Sequence, residues 1–501
     1  MSSYVLVGET TSFAQSRQRF EETVSWLVGT QAGGLSHAVL EQRLEVAGRE
    51  LLRQLPQDHL DLRGVREERL ASVVGEDAVR RTHAERGHER ALSTVFGQVD
   101  VTRIAYRAKG TDRRFPADAV LNLPTGLHSH GLRRLAAVEA VRGSFEQVAA
   151  AIERCCGVAV GKRQVQALAA TAAADVDAFY ATRRGVRCPR GDVLVLSADA
   201  KGIVMRPDAL REQTRKTAAS ASRKLATRLS RGEKLGRKRM AEVVAVYHCT
   251  PVPRTPADVI AMPGADRGGR RAGPKAVGKW LHASVTDDAA TVIAAMFDQA
   301  HRADPRGDRP WVVLVDGNSH QIELINKQAR ARDRPVTIVV DFVHVLEYLW
   351  KAAWCFHAEG DRAVETWVAQ QAELILAGRA HRVAGAIQRK ITAAGLDPDR
   401  RKGADACVAY LLNKSRYLRY HQALAAGWPI ATGVIEGACR HLIKDRMDIT
   451  GARWGLLGAE AVLKLRALIS NGDFDAYWTY HLDKERQRVH ADRYLDGVIP
   501  A

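Results

Sequence analysis

Five short apolar runs in the middle of the chain constrain its fold more than any other feature. VLVLSAD (193–199), AEVVAVYHC (241–249) and KWLHASV (279–285) come first, and WVVLVDG (311–317) and VTIVVD (336–341) follow. Continuous runs of this length, rich in β-branched residues, are the pattern of buried strands. The first three succeed one another without an intervening helix. Residues 287–300 then carry a helical pattern with an N-terminal cap expected at Thr286 or Asp287, a second helix separates the fourth and fifth runs, and a third continues to about His357. The order βββαβαβα describes a mixed sheet, because the later strands can join in parallel only through helical crossovers. That order is the ribonuclease H topology, so the expected fold is an α/β ribonuclease H-like core.

The flanks read differently. Residues 1–90 carry mixed charges at helical spacing, with Leu40, Leu44, Leu51, Leu52 and Leu55 as apolar positions, and are expected to be helical. ALSTVFGQVDVTRIAYR (91–107) alternates about Gly97 and predicts a hairpin. Helices resume near Ser129. Ser144 and Gln147 make a capping box, and Phe145, Val148, Ala149 and Ile152 share one helical face. After a turn at 155–160, a second helix begins near Gly161 with Lys162, Arg163 and Gln166 in its first turns, where a helix-turn-helix places its base and phosphate contacts. The competing reading is a helical pair that only packs.

Residues 360–425 are alanine-rich and show no strand pattern, so they read as a helical insertion. Gly427-Trp428-Pro429 breaks it, and a new helix is expected from Thr432 past Lys444. The expected segments are a helical region of unassigned role (1–90), a hairpin with a helix-turn-helix-like DNA-binding region (91–190), the core strands (191–359), the insertion (360–427), completion of the core (428–485) and a tail (486–501).

Charge narrows the partners. Lysine and arginine number 75 against 57 acidic residues, a net charge of +18, which favours a polyanion and makes nucleic acid the first candidate. Residues 201–240 are the most basic segment, with 13 lysines and arginines, among them Arg215, Lys216, Arg223, Lys224, Arg228, Arg237, Lys238 and Arg239, against Asp208, Glu212 and Glu233. Such a segment can hold a phosphate backbone without reading sequence; the plainer reading is a solvated face. The seven cysteines form no CxxC pair, so reduced thiols and no structural zinc are expected. The glycine-rich stretch 264–278 lacks the phosphate-loop pattern and reads as a loop. No apolar run is long enough for a membrane span, and MSSYVLVGETTSFAQ has no secretory-signal pattern. A cytoplasmic, nucleoid-associated protein is expected.

Asp199 ends the first run and Asp316 the fourth, so both project from one edge if those strands are neighbours and parallel. Convergent carboxylates on a basic protein suit magnesium, whose shell substrate phosphate oxygens can complete. A third ligand comes from elsewhere. Glu436 is the leading candidate, with Arg440 and Lys444 at i+4 and i+8 of its helix, placed to meet DNA phosphates. Asp341, Glu347 and Glu460 are alternatives. The duller readings are turn or cap residues for the aspartates and an i,i+4 ion pair for Glu436 with Arg440.

The DxxH of Asp341-Phe342-Val343-His344 after the fifth strand, the strand ending in Asp316-Gly317, and GVIEGACRHLIKDRMDITGARW (433–454) together resemble insertion-sequence transposases of the Kra type, relatives of the Mutator-like group. The resemblance spans roughly residues 90–485. It implies a DDE transposase in which Asp199 and Asp316 are the aspartates and Glu436 the glutamate, while Asp341 and His344 match the group's C/DxxH signature. It also implies Mg²⁺, with Mn²⁺ as a substitute, and strand cleavage followed by strand transfer at phosphorus. The partners would be double-stranded DNA, as terminal inverted repeats and target, bound by a homo-oligomer. Two competing readings are a DNA-binding protein with an inactive core of this fold and a nuclease that cuts without joining. If Asp341 and His344 are i,i+3 neighbours on a helix, the carboxylate can orient the imidazole towards a phosphate or leaving group.

Overall fold

The computed structural model describes residues 13–220, 225, 227, 230, 236–265, 268–449 and 451–500, which fall into two compact units. The first comprises residues 1–181 with 473–501, and the second residues 182–472.

In the first unit, helix α1 (Ala14–Val28) is followed by α2 (His37–Arg66) and by a hairpin of β1 (His83–Thr94) and β2 (Gly97–Arg107). The hairpin turns where the alternation predicts it, with Thr94 paired to Gly97 and Gly97 at φ +125°, a conformation that favours glycine. The expectation of helix to residue 90 is corrected here. Beyond Arg66 the chain is extended, because HAERGHERALST supplies a polar outer face for the strand that pairs with β2.

Helices α3 (His130–Ala140), α4 (Phe145–Cys156) and α5 (Lys162–Ala172) enclose one core of Leu132, Ala136, Val148, Ile152, Cys156, Val158, Val160 and Val165. Both hydrogen bonds of the Ser144–Gln147 capping box form, and Gly157 ends α4 in the left-handed conformation.

The second unit holds a five-stranded sheet of β3 (Val193–Val204), β4 (Lys238–Cys249), β5 (Val277–Ser284), β6 (Trp311–Val315) and β7 (Thr337–Val340). Its spatial order is β5-β4-β3-β6-β7. Strand β4 is antiparallel to both β3 and β5, whereas β6 and β7 run parallel to β3. Helices α6 (Ala289–Ala303) and α7 (Ser319–Ala331) make the crossovers, and α8 (Phe342–Ala353) follows β7. The unit is therefore α/β with a mixed sheet, in the element order the apolar runs predict. All five side chains of β6 are buried, at about 1.5–3 kcal/mol for each large aliphatic group.

Four readings change. The cap of α6 is Asp288, which accepts from the Thr291 amide, one position beyond the pair expected. Strand β3 does not end at Asp199 but runs on to Val204, because β4 pairs with it residue for residue as far as Lys238. The insertion folds as expected into α9 (Ala363–Leu376), α10 (Ala380–Ala393) and α11 (Lys402–Asn413) with shorter turns. The helix expected from Thr432 begins as α12 (Gly433–Ala438), widens to a π-helix at Cys439–Lys444 and closes at Met447; α13 (Leu456–Ser470) follows. The next helix, α14 (Phe474–Val489), groups with the first unit, whereas the sequence predicts a core that continues to residue 485. Among the described residues no helix is long and apolar enough to cross a membrane.

Candidate active site

Strand register assembles the site. Ser197 pairs with Leu314 and Leu314 with Val339 across three adjacent parallel strands. Two residues beyond these paired positions stand Asp199, still within β3, and Asp316 and Asp341, each the first residue past its strand. Asp316 and Asp341 thus lie at the carboxyl ends of β6 and β7, where open α/β sheets form their binding crevices. Helices α7 and α8 start there, so their amino-terminal dipoles favour negative charge at these ends.

The three aspartates have different surroundings. Asp199 is half-buried, with Oδ1 accepting from the Ala200 amide at 2.7 Å and Oδ2 from the Cys439 thiol at 3.3 Å. Asp316 is half-buried too; its Oδ1 accepts from the Asn318 amide at 2.8 Å, and its backbone carbonyl accepts from the Tyr410 hydroxyl at 2.9 Å. That contact fixes Gly317, at φ +97°, because an added Cβ would lie 2.7 Å from the same hydroxyl.

Asp341 is fully buried and caps α8. Its Oδ1 accepts from the amides of Val343 and Thr432, both at 3.2 Å, and its Oδ2 faces His344 Nδ1 at 2.8 Å. Burial pushes this carboxyl up, but the hydrogen bonds from His344, Val343 and Thr432 outweigh it and hold Asp341 below its ordinary value. The same bond to Asp341, against partial burial and with the fields of Asp341, Glu347 and Asp316, raises His344 to about 9. At neutral pH the imidazole is therefore cationic in the absence of metal.

Glu436 enters from α12, exposed, with Oε1 accepting from the Thr432 hydroxyl at 3.0 Å. Its neighbour Cys439 carries α12 onto Asp199, and burial followed by the field of Asp199 pushes that thiol well up. Asp341, His344 and Glu436 present ligand atoms within 4.8 Å of one another, a cluster that could hold a metal ion. One is buried, one half-buried and one exposed. Asp199 and Asp316, which the sequence places with Glu436 on a metal, are not in this cluster, and Glu436 alone is common to both sets.

The other candidates fall out differently. Glu460 is withdrawn as a ligand: it is buried and accepts from the Ser284 hydroxyl at 3.0 Å, the Val285 amide at 2.8 Å and the Thr286 amide at 3.2 Å, which fastens α13 to the end of β5. Glu347 lies exposed on α8, one turn beyond His344. Arg440 lies 3.8 Å from Asp445, and the π-helix shifts Arg440 and Lys444 off the simple i+4, i+8 face expected with Glu436, though both are exposed.

In the basic segment, Arg215 and Lys216 lie on a short exposed helix, with Lys216 paired to Glu212 at 2.7 Å. Arg237 and Lys238 are exposed, and Lys238 lies 3.6 Å from Asp448. Arg239 is not part of a free basic face: it donates to the carbonyls of Val285, Ala209 and Thr286 at 2.7, 3.2 and 3.4 Å. Arg223, Lys224 and Arg228 lie outside the described residues. On α5, Lys162 and Arg163 are exposed and Gln166 half-buried.

Sequence reasoning missed Cys439 and Tyr410. Cys439 lies within residues 433–454, where a lone cysteine signals no contact with a distant strand, and the Tyr410 contact joins residues too far apart for any periodic signal. No protein-family model matches this chain, and no curated protein matches it.

Proposed function

We propose that this chain is a DDE-type DNA transposase, catalysing metal-dependent strand cleavage and strand transfer of an insertion sequence. The observation that carries the reading is the placement of Asp199 in β3 and of Asp316 and Asp341 directly after the adjacent parallel strands β6 and β7, with the Glu436 helix attached to Asp199 through Cys439. The sheet order β5-β4-β3-β6-β7 with an antiparallel β4 supports a ribonuclease H-like core.

The donor chemistry fits Mg²⁺ or Mn²⁺ on Asp199, Asp316 and Glu436, since hard oxygen ligands suit both ions. Asp341 fits a ligand role less well than the half-buried Asp199, because it is fully buried and its oxygens are held by His344 and by two backbone amides. When bound, the ion neutralises phosphate charge and makes water a stronger nucleophile. Asp341 fixes the orientation and protonation of His344, whose Nδ1–H donates to it. The remaining Nε2–H of the imidazolium is a donor for a phosphate oxygen or a leaving oxygen.

Sequence recognition needs a separate reader, since a metal site selects phosphodiesters alone. The packed three-helix core behind α5 supports Lys162, Arg163 and Gln166 as that reader, in the manner of a helix-turn-helix. The DNA partner is the terminal inverted repeats and the target, engaged by a homo-oligomer. The experiment is cleavage and joining of duplexes carrying the sequences that flank the gene, with and without Mg²⁺. Metal-dependent nicks bearing 3′ hydroxyls that then join target DNA support the reading; nicks without joining reduce it to a nuclease.

A further inference from the structure

The edge of the sheet carries a second feature, separate from the three aspartates. A groove of about 780 Å³ runs along β7 between α7 and residues 416–428. Arg330, Arg416 and Arg419 line it, with Glu323 as the single acidic residue in its wall, and Tyr417 and Trp428 add aromatic surface. All three arginines are exposed, and among the described residues none of their guanidinium groups has a carboxylate partner. Arg416 is held over the Tyr417 ring at 4.5 Å to its centroid, which fixes one charge beside one stacking face.

Three guanidinium groups without a carboxylate partner, gathered around one concavity whose wall carries a single acidic residue, make a local positive field that favours an anion. A concavity of about 780 Å³ has room for a few nucleotides of one strand. Aromatic faces add binding only to bases that are unstacked from a partner.

We propose that the β7 groove binds a single nucleic-acid strand, with Arg330, Arg416 and Arg419 on successive phosphates and Tyr417 or Trp428 against an unpaired base. The inference rests on the nucleic-acid part of the reading above and adds a strand-binding site that the three aspartates do not include.

The test measures binding of labelled oligothymidine to the full-length protein in EDTA over a salt series. Cutting cannot contribute under those conditions. Arg330→Gln/Arg416→Gln/Arg419→Gln should weaken binding roughly tenfold or more at low salt and reduce the slope of log affinity against log salt by about 2, since each single-strand phosphate contact contributes about 0.7. The corresponding triple lysine variant keeps the charge and should retain most of the slope. Oligothymidine carrying 4-thiothymidine should photocross-link within residues 416–428. An unchanged slope in the glutamine variant overturns the proposal, as does a loss of inorganic phosphate binding without loss of oligothymidine binding, which would make the groove a free-anion site. A protein that cleaves its ends but shows an unchanged slope sinks this inference alone; one that binds the strand here but cleaves nothing sinks the transposase reading alone.

Discussion

The Cys439 thiol lies 3.3 Å from Asp199 Oδ2 and joins the helix that carries Glu436 to the strand that carries Asp199. A buried thiol beside a carboxylate is a weak donor and a poor nucleophile, because both burial and the negative charge oppose the thiolate. In native protein at mildly alkaline pH, iodoacetamide should therefore modify the exposed Cys155 well before Cys439, as read by peptide mass spectrometry. Equal rates would show that α12 does not rest on β3 as described. Cys439→Ser, which preserves a donor, should retain more activity than Cys439→Val.

The His344–Asp341 pair predicts a pH signature in the metal-free protein. His344 is raised from its ordinary value to about 9, so the stability it contributes is complete below about 6.5 and is lost as pH rises through about 9. Asp341 is held low, so its contribution is present above the ordinary carboxylate range and is lost on acidification. The His344 ring protons should titrate near 9 by NMR and move down towards the ordinary histidine range in Asp341→Asn. A wild-type midpoint near 6.5 would contradict the pairing.

Glu460 should behave as a structural residue. Glu460→Ala leaves the buried amide of Val285 and the neighbouring Thr286 amide without their carboxylate acceptor, at a cost of about 1–3 kcal/mol for each unsatisfied group. Thermal or urea unfolding should show this loss. A variant of full stability that has lost metal-dependent activity would return Glu460 to the candidate ligands.

Within the basic segment, the arginines separate by contact. Arg237→Gln and Lys238→Gln should weaken DNA binding and flatten its salt dependence with little change in stability. Arg239→Gln should do the reverse, because it removes three hydrogen bonds to the carbonyls of Ala209, Val285 and Thr286. A loss of DNA affinity from Arg239→Gln at unchanged stability would place its guanidinium on the nucleic acid.

What the sequence revealed follows from which interactions are local. The five strands and their connecting helices were legible because buried runs and helical periods are written in adjacent residues, and Asp199, Asp316 and Asp341 stand out as acids interrupting or following such runs. Their alignment was not legible, since Ser197 and Leu314 become neighbours only through a crossover that the pattern does not number. Glu460 and Arg239 misled for a related reason. Each has a side chain suited to metal or phosphate, and each is occupied by backbone groups of a distant strand end. The π-helix at Cys439–Lys444 escaped because its sequence is equally compatible with an ordinary α-helix.

In the proposed function, Asp199, Asp316 and Glu436 act together on a divalent metal ion to break DNA phosphodiesters. The direct measurement is Mg²⁺- or Mn²⁺-dependent nicking of a duplex carrying the element's end, compared across Asp199→Ala, Asp316→Ala, Glu436→Ala and the unsubstituted protein, with DNA binding assayed in parallel. Each substitution should abolish nicking while DNA binding persists. Full nicking by Glu436→Ala, or nicking by the unsubstituted protein that survives removal of divalent metal, would contradict it.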